Sequence, residues 1–315
     1  MRATVTGGAG FIGSHVVDAL VDGGADVVVL DDLSAGYESN VNQRASLVVG
    51  DIADPDVVGR CVGGSDLVVH LAAHRAVLRS VEQPLETNRV NVTGTLVVLE
   101  SARAAGVRRV VAASSSSVYG GEAVLPTPES APLTPKSPYA VTKLAGESYA
   151  KVFWELFGLE TVSLRFFNVY GPRQRPDSRY AAVIPLFIDA LRGDRAPEIH
   201  GDGLQSRDFS YISDVAGAVL AAASAPADAC AGGVYNVSGG RRYSLVEMLD
   251  VLEGQIGSRP GRHHVDPRAG DVRHSQADIS AARRDLGYEP VVSLAEGLRR
   301  TVEWFSAPDR MMATP

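Results

Sequence analysis

Short apolar runs alternate with amphipathic stretches through the first half of the chain. Residues 3–6, 26–30, 47–52, 67–73, 109–113 and 160–165 are rich in Val, Leu and Ala, with few polar positions between them. Runs of that kind, bounded by turn residues, predict strands buried on both faces rather than strands with one wet face. Between them the periodicity shifts to that of helices: one after Gly13 to about Val21, one beginning at Asn91 and running to about Ala105, and one over 138–157. Strands that alternate with helices predict an α/β fold with a doubly wound parallel sheet. On the 138–157 helix the apolar stripe is Val141, Ala145, Tyr149, Val152 and Leu156, and the helix is expected to pack through it. Past Phe167 the regularity loosens, with Pro172, Pro176, Pro185 and Pro197 interrupting it. The expected division is a sheet domain over 1–167 and a smaller α/β lobe over 168–315. Residues 294–305 read as an amphipathic helix, and the last residues are expected to fray.

Composition narrows the class. The 315 residues are 45% apolar and 21% charged, which suits a globular protein with a sizeable core. A net charge of −7 argues against a nucleic-acid partner, whose footprint is basic. Cys61 and Cys230 are the only cysteines, too few for a disulfide framework or a zinc cluster, so no metal is expected and a reducing cytoplasm is. No run approaches the ~20 apolar residues of a membrane helix, and no signal segment is expected ahead of the first strand.

The candidate chemistry sits at the ends of the strands. Gly7, Gly10 and Gly13 follow the first strand and open the first helix. Glycines in that context permit a tight turn and let a pyrophosphate approach the helix N-terminus, as in a Rossmann-type dinucleotide site. The second strand ends at Asp31, 18 positions past Gly13. A carboxylate there can accept hydrogen bonds from both ribose hydroxyls and repels a 2′-phosphate, which points to NAD rather than NADP. His74 and Arg75 close the fourth strand, whereas His70 reads as a packed strand residue. Tyr139 and Lys143 are spaced i, i+4, which stacks them on one helical face. A neighbouring ammonium favours phenolate, so the pair can handle a proton. The fifth strand feeds a serine run, Ser114 to Ser117. In the smaller lobe Arg207, Arg268 and Arg273 are the charges suited to a diphosphate.

Taken in order, these stretches resemble the extended short-chain dehydrogenase/reductase family, and within it the nucleotide-sugar 4-epimerases. The motifs that carry the likeness are Thr6 to Gly13, Leu71-Ala72-Ala73, Ser114 to Gly120, Tyr139-Ala140-Val141-Thr142-Lys143, Arg165 to Pro172, Gly201-Asp202-Gly203 with Arg207-Asp208-Phe209, and Gly270 to Arg273. The resemblance implies NAD contacts from Gly7, Gly10, Phe11, Ile12, Asp31, Asp51, Ile52, Ala72, Arg75, Asn91, Tyr139 and Lys143. It implies nucleotide-diphosphate contacts from Asn168, Val183, Arg207, Arg268 and Asp271, further substrate contacts from Ser115, Ser116, Ser117 and Ser275, and catalysis by Ser115, Tyr139 and Lys143. Sugar dehydratases carry Asp-Glu where this chain has Ser116 and Ser117, and decarboxylases carry Glu in the second place. Serine cannot supply the proton those reactions need, so the run resembles an epimerase's. Ser275 stands where glucose-restricted relatives carry Tyr, which implies room for an N-acetyl group. The implied substrate is UDP-glucose/UDP-galactose, with N-acetylhexosamines tolerated; the alternatives are UDP-glucuronate epimerisation, another nucleotide-sugar reaction, or an NAD-binding sensor without turnover. Relatives also imply a homodimer built on the 91–105 and 138–157 helices.

Overall fold

The computed structural model describes residues 1–121, 123–174, 182–267 and 272–307. Its centre is a seven-stranded parallel sheet. In chain order the strands are β1 (Arg2–Thr6), β2 (Asp26–Asp31), β3 (Ser46–Val49), β4 (Leu67–His70), β5 (Arg109–Ser115) and β6 (Glu160–Phe166), with a seventh over Gly233–Val237. The spatial order is seventh, β6, β5, β4, β1, β2, β3. Val5 of β1 pairs with Val29 on one side and Val69 on the other. The order therefore reverses between β1 and β4, and the crevice at the carboxyl ends of those strands is where such a sheet takes its ligand.

Side chains of β2 alternate between two cores. Val27 and Val29 face the cluster built with Val16, Val17 and Leu20 of helix α1 (Phe11–Asp22) and the Ile212–Ser224 helix. Val28 and Leu30 face the other, with Val58, Val98, Leu99 and Phe153. Both faces are dry, which is why the strands read as unbroken apolar runs.

The seventh strand comes from the stretch assigned on sequence to the smaller lobe, and the Ile212–Ser224 helix packs on α1. The chain thus returns to the sheet after leaving it at residue 167. The rest of the C-terminal part is helical (Val183–Arg192, Leu245–Ile256, Leu294–Ser306) with short paired strands: Glu198–His200 with His263–Val265, and Ser206–Asp208 with Arg242–Ser244.

Two sequence expectations for helices need correction. Most of the expected stripe on Pro138–Phe157 does not pack: Val141 is 53% exposed, Val152 40% and Leu156 70%, and of the five residues Tyr149 alone reaches a core. The helix lies on β5 and β6 through Ala140, Thr142, Glu147, Ala150 and Phe153 instead. Glu147 can sit on the buried face because it has a buried cationic partner, Arg165. Asn91 does not begin a helix either. Helix runs from Pro84–Asn88 through a wider π turn, Arg89–Thr93, into Gly94–Ala104, and Asn91 lies inside that turn. Single π turns of this kind re-aim a side chain out of the regular ladder, often at functional sites.

Candidate active site

The glycine turn leaves no space for side chains. Gly7 has φ +73°, and a Cβ on it would stand 2.7 Å from the Ala72 nitrogen; a Cβ on Gly13 would stand 2.0 Å from the Gly7 carbonyl oxygen. The first turn of α1 has neither a side-chain cap nor an acidic residue, so its N–H groups are open to an anion. Asp31 is buried at the end of β2. Its Oδ2 accepts the Ala9 N–H at 2.9 Å and its Oδ1 the Leu33 N–H at 2.9 Å. Burial pushes this carboxyl up and the two backbone bonds oppose that. Each oxygen keeps further acceptor capacity for a ribose hydroxyl.

These groups line one cleft with Gly10, Phe11, Ile12, Asp51, Ile52, Ala72, Arg75, Ser115, Tyr139 and Lys143. Backbone approach, open helix N-terminus and acidic ribose acceptor together fit an NAD dinucleotide.

Ser115 ends β5, and Tyr139 and Lys143 come from the helix behind it. That helix starts where Ser137 Oγ accepts the Ala140 N–H, with Pro138 in its first turn, and stops at Gly158 with φ +70°. Ser115 and Tyr139 line the same cleft, and the Ser115 side chain acts on the Tyr139 phenol. Lys143 Nζ donates to the Ala113 carbonyl at 2.9 Å and lies 6.0 Å from the Tyr139 ring centroid. Burial dominates both groups. It pushes the Tyr139 phenol up, against the neighbouring Ser115 side chain and the charge of Arg75, and brings Lys143 down to about 8, against the charge of Glu147. The spacing argument expected Lys143 to draw Tyr139 toward phenolate. In the structure desolvation wins, and the cation that opposes it is Arg75.

Asn91 does not line the cleft. Its Oδ1 accepts the His74 N–H at 2.7 Å, and its Nδ2 donates to the His74 carbonyl at 3.0 Å and to Thr142 Oγ1 at 3.0 Å. The amide is spent on clamping the strand-end loop to the Tyr139 helix. His70 lies between Thr6 Oγ1 (2.7 Å) and Thr95 Oγ1 (2.9 Å), and burial takes it down to about 3, so it is a neutral packed residue.

A second cavity adjoins the first, and Asn168, Val169 and Gln174 line both. Val183 and Arg207 line the second. Asn168 Nδ2 reaches Ser275 Oγ at 3.4 Å, which sets Ser275 beside the junction. Ser116 and Ser117 form the turn after β5 and line neither cavity; the Ser117 hydroxyl is buried without a partner. Arg268 and Asp271 lie outside the described residues. Arg273, in contrast to its sequence reading, pairs with Asp202 at 2.7 Å.

Sequence reasoning passed over Tyr37 and Asn40, which reach the cleft from the loop after β2, and Gln174 at the junction. It also passed over Glu147, whose spacing from Lys143 repeats that of Lys143 from Tyr139 and could have been noticed.

Comparison with known proteins gives a consistent result. The model of the NAD dependent epimerase/dehydratase family matches residues 3–238. The UDP-glucose 4-epimerase of Mycolicibacterium smegmatis is 41% identical over 312 residues, spanning 97% of this chain and 98% of that protein. Among solved structures, UDP-glucose 4-epimerase from Thermotoga maritima with UDP-glucose is 38% identical with a TM-score of 0.93, covering 97% of this chain and 98% of that one. UDP-N-acetylglucosamine 4-epimerase from Methanobrevibacter ruminantium, in complex with UDP-N-acetylmuramic acid, is 39% identical with a TM-score of 0.91, covering 96% and 97%.

Proposed function

The chain belongs to the NAD-dependent epimerase/dehydratase family, and from that premise we propose that it is an isomerase, a 4-epimerase of UDP-hexoses that works through a transient 4-keto sugar. The observation that carries this reading is the meeting of Ser115, Tyr139 and Lys143, the last two one helical turn apart, in a cleft that continues into a second cavity through Asn168 and Gln174. The two spaces, about 310 and about 620 Å³, are each of a size that takes small-molecule ligands. We place the dinucleotide in the first and the UDP moiety in the second, so that the hexose meets Tyr139 at their junction.

Gly7, Gly10 and the open first turn of α1 hold the pyrophosphate, and Asp31 holds the adenosine ribose and excludes a 2′-phosphate. Asp51, Ile52, Ala72 and Arg75 complete the cradle. When bound, NAD supplies a reversible hydride acceptor. The rest is done by the chain. Tyr139, as the phenolate that the Lys143 ammonium and Arg75 favour against burial, takes the proton from the sugar O4 and returns it, with Ser115 assisting at the same hydroxyl. Lys143 provides the fixed positive charge beside the phenol. Val183 packs on the nucleotide and Arg207 holds the diphosphate, with Arg268 and Asp271 as further contacts. Ser116 and Ser117, with no acid between them, give no proton to a leaving hydroxyl, which separates this reading from a dehydratase or decarboxylase.

The preferred substrates are UDP-glucose and UDP-galactose. Ser275, small and next to Asn168, leaves room for an N-acetyl group at C2, and the Methanobrevibacter relative supports that breadth. A panel of UDP-sugars, with C4 epimers resolved after incubation, tests the reading; UDP-glucuronate turned over in preference to the neutral sugars would replace it with the uronate alternative.

We also propose a homodimer in the cytoplasm. Val141, Val152, Leu156 and Phe157 are apolar and exposed along one helix, and a second copy would cover them. No helix among the described residues is long and apolar enough to cross a membrane, and both cysteines are free thiols. Light scattering at micromolar concentration should give twice the chain mass of 33.2 kDa; a stable monomer would remove the dimer.

A further inference from the structure

Behind Lys143 lies a buried ionic group with no role in the scheme so far. Tyr139, Lys143 and Glu147 follow one another at one-turn spacing on the same helix. Glu147 is fixed by three hydrogen bonds from two residues. Arg165 of β6 holds it in a two-point contact, Nε to Oε1 at 2.9 Å and Nη2 to Oε2 at 2.7 Å, with both side chains about 5% exposed or less. Ser114 Oγ of β5 donates to the same Oε1. Arg165 is held in turn: its Nη1 donates to Tyr119 Oη at 2.7 Å, and that hydroxyl donates to Asn236 Oδ1 at 2.8 Å. A carboxylate that accepts three hydrogen bonds cannot swing toward Lys143, and Lys143 itself donates to a backbone carbonyl. The coupling between them acts through space.

We propose that Glu147 is a positioning residue for the site: a carboxylate locked by Arg165 and Ser114 that keeps the Lys143 ammonium charged beside Tyr139. The proposal rests on the assignment of Tyr139 and Lys143 as the proton-handling pair. The surroundings leave Glu147 alone in this duty. His70 of β4 faces Lys143 but stays neutral, and its influence is opposite in sign. Arg75 is the cation that acts on Tyr139, and the Arg165 guanidinium is the partner that fixes Glu147. Burial lowers Lys143 and Glu147 is the charge that raises it. An ion pair that only fastened the helix to β6 would stabilise the fold without touching the lysine.

The test uses an unusual feature of the sequence. Lys136, Lys143 and Lys151 are the only lysines, so protein labelled with ¹³C at lysine Cε gives three signals, assigned by single Lys→Arg variants. In the wild type the Lys143 signal should titrate near 8. In Glu147→Gln its midpoint should fall by about one unit or more, and the alkaline limb of kcat should fall with it, so that activity is regained by lowering the pH. Glu147→Asp should restore most of both. If Glu147→Gln does not fold, the double variant Glu147→Gln/Arg165→Met, which leaves no unpaired guanidinium inside, reads the same signal. A Lys143 midpoint unmoved in the variant, or a uniform loss of kcat at every pH, overturns the proposal. Normal turnover by Tyr139→Phe would instead overturn the assignment beneath it, and the lysine titration would still stand as measured.

Discussion

Tyr139 contributes one ionisable oxygen, and the proposed chemistry runs through it. Tyr139→Phe keeps the ring and removes that oxygen. A positioned acid–base group is typically worth ~10²–10⁴-fold, so kcat should fall by at least that order while calorimetry shows UDP-sugar binding retained. In the proposed scheme Asp31 is the residue that reads the cofactor. The wild type should bind NAD in strong preference to NADP, and Asp31→Ala should weaken NAD and narrow the gap, as measured by titration with each dinucleotide; equal affinities in the wild type would remove the ribose assignment. Both residues were legible in the sequence, because strand ends and i, i+4 spacing fix where they stand. Their ionisation was not. Spacing gives the distance of Lys143 from Tyr139 but not the burial of both, and burial reverses the sign of the expected shift.

At the scale of elements, the glycine turn, the parallel strands and the caps of the Tyr139 helix follow from local sequence, since each is set by residues within a turn of it. What failed were features decided across the fold. The stripe of the Pro138–Phe157 helix is apolar by sequence yet mostly exposed, because the sheet takes the opposite face, where Glu147 finds Arg165. The π turn at Arg89–Thr93 leaves no mark in composition; it is recognised by what Asn91 does there. That clamp can be measured. Asn91→Ala leaves the His74 N–H and carbonyl without their side-chain partner, at ~1–3 kcal/mol for a buried unsatisfied group. A loss of at least about 2 kcal/mol should appear in urea unfolding, with NAD held more weakly; an unchanged midpoint would show that the loop does not depend on the clamp.

For the whole molecule, pH dependence of stability reports on His70. Its folded value of about 3 lies below the ordinary 6.5, so the unfolded chain takes up the proton first. This contribution is complete above 6.5 and is lost as pH falls from there toward 3. His70→Gln should therefore flatten the acid side of the stability profile in that window relative to wild type, as read from urea midpoints. Asp208, which burial raises to about 6, acts in the opposite direction between 3.8 and that value, so the difference between the two proteins is the quantity to measure. The doubly wound sheet was evident from the alternation of strands and helices. The return of the chain to the sheet at Gly233–Val237 was not, since pairing over such a separation is set by tertiary contact rather than by local pattern.

The central claim is that the sugar is oxidised and reduced at the same carbon, with Tyr139 moving only the O4 proton. UDP-galactose carrying deuterium at C4, incubated with the enzyme in ordinary water, tests it most directly. The account predicts UDP-glucose that keeps its deuterium at C4, with no net NADH formed. Loss of the label to solvent, stoichiometric NADH, or a 4-keto-6-deoxy product would contradict it.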